Sequence, residues 1–389
     1  MNTTAFALLA APYFALEVFI TLNLPTPWRV AGCVTIAVLS FTSMTLVRTG
    51  NGYLDYLLGS SLVTCVADSI HLLLLTRPLY SFRHEKDKVP AHELPFFQRY
   101  FWVICMCHSP RGIGWSFRVN NIPRASTFSR ASFATYTMLR AIFQYTLFEA
   151  AYLYMSYNPV FTTSASITSQ GFLRQSLSIA AFVGQTYAVA NFLYFFLASV
   201  SVAMGLYEPR LWPDIFGRWR DAYTIRRFWG RTWHQLLRRF LSVLGKSPAR
   251  LAGLDPRTRG LSYVQLSLAF LVSGLAHVGG DAMLDISSAG FSLPFFLLQP
   301  IGIAVEDVVI SLARRTGVKQ CIWTRLVGYA WVFIWLSTCV PPWLDVFVNV
   351  VIRTQGLGVS GPRKTLLGTV AGWAGVDIGS VLSSWFANV

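Results

Sequence analysis

Charge is scarce in this chain. Only 13% of its 389 residues are charged, about half the share of an ordinary soluble domain. Hydrophobic residues make up 54%. That balance excludes a water-soluble globule, which would have to leave much of the apolar surface exposed. Acidic residues are the rarest charged class: 17 Asp and Glu stand against 32 Lys and Arg, giving a formal net charge of +15. No nucleic-acid-binding motif accompanies the excess, and the aromatics lie mostly in apolar runs, so no nucleic acid partner is expected. The positive-inside rule accounts for the charge.

Other absences narrow the chemistry. The six cysteines, Cys33, Cys65, Cys105, Cys107, Cys321 and Cys339, form no disulfide ladder. Cys105-Met106-Cys107-His108 has no second ligand pair at suitable spacing, so no metal site is expected. There is no phosphate loop and no dinucleotide fingerprint. There is no G-x-S-x-G elbow either, and Gly358-Val359-Ser360-Gly361 is not one. Arg111-Gly112-Ile113-Gly114-Trp115 lacks the strand–helix setting of a phosphate loop and reads as a turn. No permanently bound cofactor is expected. The N-terminus has no basic leader or clear cleavage site and reads as a first span. No internal repeat or inverted half of the transporter kind is visible.

What is abundant is long apolar segments. Spans of about 20 residues are expected at 5–25, 28–47, 53–75, 132–155, 176–206, 262–280, 293–313 and 326–346, with a Gly- and Ser-rich candidate at 366–387. The 176–206 run is too long for one straight crossing and implies tilt or an interfacial end. Basic residues gather in three connecting loops: 76–131 (Arg77 to Arg130), 207–261 (Arg210 to Arg259, including Arg257) and 314–325. Two spans separate each loop from the next, so all three fit on the cytosolic side. Arg353, Arg363 and Lys364 break that pattern. The reading is an all-α polytopic membrane protein with about eight to nine transmembrane helices. It forms a single domain over 1–389: N-terminal spans to 75, a cytosolic loop 76–131, spans 132–206, a cytosolic or re-entrant segment 207–261, and spans from 262 onward.

Ionisable groups at membrane depth are costly and therefore candidate functional groups. His277 stands out, in Leu271-Val272-Ser273-Gly274-Leu275-Ala276-His277-Val278-Gly279-Gly280-Asp281. Its small neighbours permit close helix approach and leave room for a ligand beside the imidazole. A histidine suits proton removal from an alcohol near neutral pH; a packed histidine bonded to a neighbouring helix fits the residue equally well. In Asp221 through Gln235, helical spacing brings Phe228, Trp229 and Trp233 together with arginines at their flanks. This is the pattern of an interfacial helix with aromatic anchors, and it leaves His234 and Gln235 unexplained. Asp68 with His71 reads as a structural pair sharing a helix face. Arg140 and Glu149 are further polar groups at depth. Glu306 with Asp307 follows a Gln299-Pro300-Ile301-Gly302 break and could line a cavity. His277-x-x-x-Asp281 matches the short acyltransfer signature of a soluble enzyme class, but within an apolar span.

Four segments in order resemble the wax synthase-like branch of the membrane-bound O-acyltransferases, and within it fungal acetyltransferases that decorate terpenoids and meroterpenoids. They are Arg111–Trp115 leading to Asn120-Asn121-Ile122-Pro123, then Leu211-Trp212-Pro213-Asp214-Ile215-Phe216-Gly217, then Asp221 to His234, and last Ser273 to His277. The resemblance covers most of the chain from about residue 80 to 345. It implies an endomembrane protein, in the endoplasmic reticulum or a related membrane, whose helices surround an internal reaction chamber. The partners it implies are the lipid bilayer, an acyl-CoA donor and a hydrophobic alcohol acceptor. The family's hallmark histidine maps onto His277. Its second site residue, an asparagine in the wider family, maps onto His234. Trp229, Trp233, Arg227, Gln235, Ser273 and Glu306 join them as candidates for contact with substrate or CoA. The implied reaction is acetyl transfer from acetyl-CoA to a terpenoid hydroxyl. A long-chain wax or sterol ester synthase is the alternative within that chemistry, and a small-molecule transporter the alternative outside it. One tension follows. His277 sits about 15 residues into its span, roughly 22 Å along the axis, so the 228–240 segment must be re-entrant or embedded to meet it.

Overall fold

The structure is a computed structural model that describes residues 3–253, 259–355 and 365–387. Arg257, the Gly358–Gly361 stretch, Arg363 and Lys364 lie outside the described residues. Lipid offers no partner to a bare peptide group, so an apolar chain must satisfy its backbone within helices. The major helices are α1 (Thr3–Leu22), α2 (Thr26–Leu46), α3 (Gly52–Ser69), α4 (Phe96–Cys107), α5 (Arg130–Tyr157), α6 (Phe172–Ala203), α7 (Arg238–Leu251), α8 (Arg259–Leu284), α9 (Leu293–Arg315), α10 (Ile322–Cys339), α11 (Pro341–Gln355), α12 (Leu366–Trp373) and α13 (Ile378–Ala387). No strand occurs among the described residues.

Among the described residues, six helices are long and apolar enough to cross a membrane, or up to eight if each of two bent pairs counts as one. The expected spans 5–25, 28–47, 53–75, 176–206, 262–280 and 293–313 fall on these six. The others differ in form. Residues 326–346 are broken where Pro341 cannot continue the α10 hydrogen-bond ladder, and α11 leaves at 41°. The 366–387 segment is two short helices bent by 106° at Gly375, whose φ of +75° suits a residue without a Cβ. α5 has 28 residues, about 42 Å of rise, but its polar residues keep it below the apolar character of the six. The loop expected at 76–131 contains α4, and 207–261 contains α7.

The chain divides into two compact units, Met1–Ile122 with Phe216–Tyr329, and Pro123–Ile215 with Ala330–Val389. In the second unit, acids are held by neighbouring groups of the chain. Glu149 accepts the N–H groups of Leu366 and Leu367, both at 2.8 Å, at the start of α12. Asp345 accepts from the Ser166 hydroxyl at 2.6 Å and Ile167 N–H at 2.7 Å. Arg140 makes a two-pronged pair with Asp214 at 2.8 and 2.9 Å.

The first unit carries every candidate site residue. Its centre is a seam between α3 and α8. Gly59 and Gly279 bring the two backbones so close that a Cβ on either would collide with the other's carbonyl. Gly280 meets Tyr56 and Ser60 in the same way, with a Cβ falling 2.6 Å from the Ser60 oxygen. The three basic loops also meet in this unit. Asn121 Nδ2 donates to the Gly230 carbonyl at 3.0 Å, Gln320 Nε2 to the Tyr223 hydroxyl at 3.0 Å, and the Tyr329 hydroxyl to the Arg220 carbonyl at 2.7 Å.

Candidate active site

The glycine seam fixes the rotation of α8 and thereby the direction of His277. A second small residue, Gly274, faces α9, where a Cβ would strike Leu293 and Phe296. The His277 imidazole lies on the Phe296 ring, 4.2 Å between centroids, with Tyr56 at 6.0 Å. Its Nδ1 is 2.8 Å from the Ser273 carbonyl oxygen. A carbonyl can only accept, so Nδ1 holds the proton of the neutral ring and the Nε2 lone pair is left available. Ser273 therefore acts here through its backbone. Asp281 turns the other way. Its carboxylate accepts from Gly290 N–H at 3.1 Å, Ser292 N–H at 2.9 Å and the Ser292 hydroxyl at 2.5 Å, closing the α8–α9 turn. The His277-x-x-x-Asp281 spacing is thus a coincidence of a helix and its cap.

The aromatic segment is held by α9. The Thr224 side chain accepts from Arg227 N–H at 3.0 Å and opens a single helical turn, Ile225–Arg227. Glu306 receives the N–H groups of Ile225 at 2.6 Å and Arg226 at 3.3 Å. Both carboxylate oxygens are thereby occupied, and the side chain is 5% exposed. Asp307 takes the Arg226 guanidinium at 2.5 Å and the Tyr263 hydroxyl at 2.7 Å. The turn then widens into a π-helix, Phe228–Thr232. Such widening recurs at functional sites, because the extra residue turns side chains out of register. Phe228, Trp229 and Trp233 do stand together, with centroids 5.0 to 6.2 Å apart. Arg227 is engaged with the Asp221 carboxylate at 2.8 Å and the Tyr223 ring at 4.4 Å. Gln235 Nε2 donates to the Trp233 and Trp229 carbonyls at 2.6 and 3.3 Å. Both residues hold the segment's own shape.

The aromatic segment packs between α8 and α9. Trp229 reaches Phe270 of α8 at 5.9 Å and Phe295 of α9 at 6.3 Å, and its indole N–H donates to Gln299 Oε1 at 3.1 Å. Phe270 lies eleven residues beyond Arg259 in the sequence, about 16 Å along α8. The π-helix therefore dips to the middle of the bundle. The ring chain from Trp233 through Trp229, Phe295 and Phe296 ends on His277. His234 follows Trp233 at 5.6 Å and meets Phe216 at 5.9 Å. Gly217 sets Phe216 there by donating its N–H to the Thr232 carbonyl at 2.8 Å. Burial, and after it the neighbouring His277, push the His234 imidazole down to about 4. The two rings thus share one electrostatic neighbourhood. Both rings are half-buried. His234 Nδ1 is buried with no hydrogen-bond partner.

Sequence reading missed two supports. Gln299, wholly buried, holds Trp229; its signal is a polar residue at membrane depth beside a proline. Arg239 is 6% exposed and binds both oxygens of Asp68 at 3.2 Å and the Met106 carbonyl at 3.3 Å. It anchors the start of α7, just past His234, to α3 and α4. Asp68 with His71, 3.6 Å apart, is thus the inner part of a buried ion cluster. Among the described residues no group of acids, histidines and cysteines could hold a metal.

Residues 212–298 match the Membrane bound O-acyl transferase family, a stretch that contains both histidines. An acetyltransferase of Rhodocybe pseudopiperita (ple2) is 33% identical over 316 residues, covering 79% of this chain and 82% of the relative. One of Hericium erinaceus (eriL) is 29% identical over 80% of this chain and 82% of its own length. Another, of Aspergillus fumigatus (pyr8), is 26% identical over 80% and 79%. No solved structure matches the chain significantly. At 33% identity over 79% of its length to a named acetyltransferase, this chain belongs to the membrane-bound O-acyltransferase family and is an O-acyltransferase.

Proposed function

We propose that the protein transfers acetyl from acetyl-CoA to a hydroxyl of a terpenoid or meroterpenoid intermediate in secondary metabolism, in the endoplasmic reticulum or a related membrane. The observation that carries the reading is the locked tautomer of His277: its Nδ1–H is committed to the Ser273 carbonyl, so Nε2 is the base. Nε2 removes the proton of the acceptor hydroxyl as that oxygen attacks the thioester carbonyl carbon. The C–O bond forms, the carbonyl becomes an oxyanion, and the C–S bond then breaks. The departing thiolate takes the proton back from His277 and leaves as free CoA. His234, uncharged at neutral pH, gives a ring N–H to the oxyanion. Trp229 and Trp233 wall the acyl end, while Arg227, Gln235 and Glu306 hold the segment that presents them. Basic loops draw in the CoA phosphates, and a water-poor chamber limits wasteful thioester hydrolysis. Relatives named as acetyltransferases support acetyl as the acyl group.

The test is microsomes from an expressing host, radiolabelled acetyl-CoA or palmitoyl-CoA, and a panel of terpenoid and sterol alcohols. Labelled terpenoid acetate from acetyl-CoA alone is expected. Palmitoyl transfer without acetyl transfer would move the protein to the ester synthases. His277→Ala is expected to lose about 10²- to 10⁴-fold in rate at unchanged membrane abundance, and an unimpaired variant would falsify the base assignment.

A further inference from the structure

Away from the two histidines in sequence, the end of α1, the start of α2 and the chain leaving α3 enclose a half-open cavity of about 330 Å³. α3 ends in a π-helix, Ile70–Leu75, whose widened turn puts Leu72 and Leu73 into the wall beside Phe19. The same cavity is lined by two guanidiniums, Arg29 and Arg77, close enough for their charges to repel. No Asp or Glu lines the cavity. Arg29 gives one N–H to the Thr76 carbonyl at 3.0 Å, which aims it but neutralises nothing. Asn23 donates to the Tyr80 hydroxyl at 2.8 Å, leaving the tyrosine proton free to be given. Trp28 and Tyr80 are 61% and 45% exposed, an aromatic pair of the kind that marks a membrane–water interface.

We propose that this cavity holds the phosphate of an anionic membrane phospholipid between Arg29 and Arg77, with the first carbons of its chains against Phe19. Guanidinium forks match phosphate oxygens in pairs, and an anion turns their mutual repulsion into attraction. Exposed Trp28 and Tyr80 beside the charges set the pair at the bilayer surface, where a phospholipid headgroup is at hand. The volume is near the lower end for a ligand site and does not take a nucleotide with a pantetheine arm, so acyl-CoA is not its occupant.

Full-length protein, delipidated in detergent and offered phosphatidylinositol, phosphatidylglycerol or phosphatidylcholine, would be examined by native mass spectrometry and by thermal melting. The wild type is expected to retain one anionic lipid per chain and little phosphatidylcholine. Arg77→Ala, which removes an exposed side chain, is expected to cut that retention about tenfold or more. Arg29→Gln, which keeps a donor for Thr76, is expected to do the same. Equal retention of phosphatidylcholine, or undiminished retention in Arg77→Ala, would overturn the proposal. Stabilisation by inorganic phosphate alone equal to that by phosphatidylglycerol would overturn the lipid and leave a soluble phosphate as the occupant.

Discussion

At the scale of single residues, the two histidines are distinguished by what each ring already holds. His277 has spent its N–H on Ser273 and keeps a lone pair, whereas His234 has a buried nitrogen with no partner and is kept neutral by its surroundings. The His234 pKa falls from 6.5 to about 4 on folding, and this fixes a sign. Between those values the unfolded chain binds a proton that the folded chain refuses, so stability falls as pH drops from 6.5 toward 4. The melting temperature of the detergent-solubilised protein should therefore decline over that window, and His234→Gln should flatten part of the decline. Parallel pH curves for variant and wild type would mean that His234 is not held neutral. His277 is legible in sequence as an imidazole among small residues inside an apolar run. Arg239 is not: its acid, Asp68, lies 171 positions away, and nothing in a basic loop marks one arginine as buried.

At the scale of elements, carboxylates at membrane depth cap neighbouring helices. Glu149 does so for α12 and Glu306 for the turn that opens the aromatic segment. Glu306 reads in sequence as a cavity-lining group because burial of an acid implies a partner without naming it; here the partners are bare amides that only the fold brings near. Charge-assisted bonds of this kind are worth about 1.5–3 kcal/mol each. Glu306→Gln should lower the melting temperature and reduce turnover roughly 10- to 100-fold, since a misplacement of about 1 Å near the chemistry costs that much. A variant with unchanged melting temperature and turnover but a raised KM for acyl-CoA would return Glu306 to the ligand. The spans are legible from hydropathy almost to their ends. The bends at Pro341 and Gly375, and the π-helix at Phe228–Thr232, are less so, because they answer to neighbours rather than to local composition.

For the whole molecule, the even count of spans between basic loops predicts that the loops share one side of the membrane, and the bonds joining Asn121 to Gly230 and Gln320 to Tyr223 agree with it. Cys321 is exposed in the third loop, which supplies a natural reporter. In sealed microsomes with the cytosolic face outward, an impermeant maleimide should label Cys321, and likewise cysteines introduced as Lys86→Cys and Arg218→Cys. Reaction of any of the three only after detergent would break the topology. The glycine contact between α3 and α8 has its own consequence for traffic. Where Gly59 and Gly279 touch backbone to backbone, not even a methylene fits between the helices, so nothing passes between them at that level.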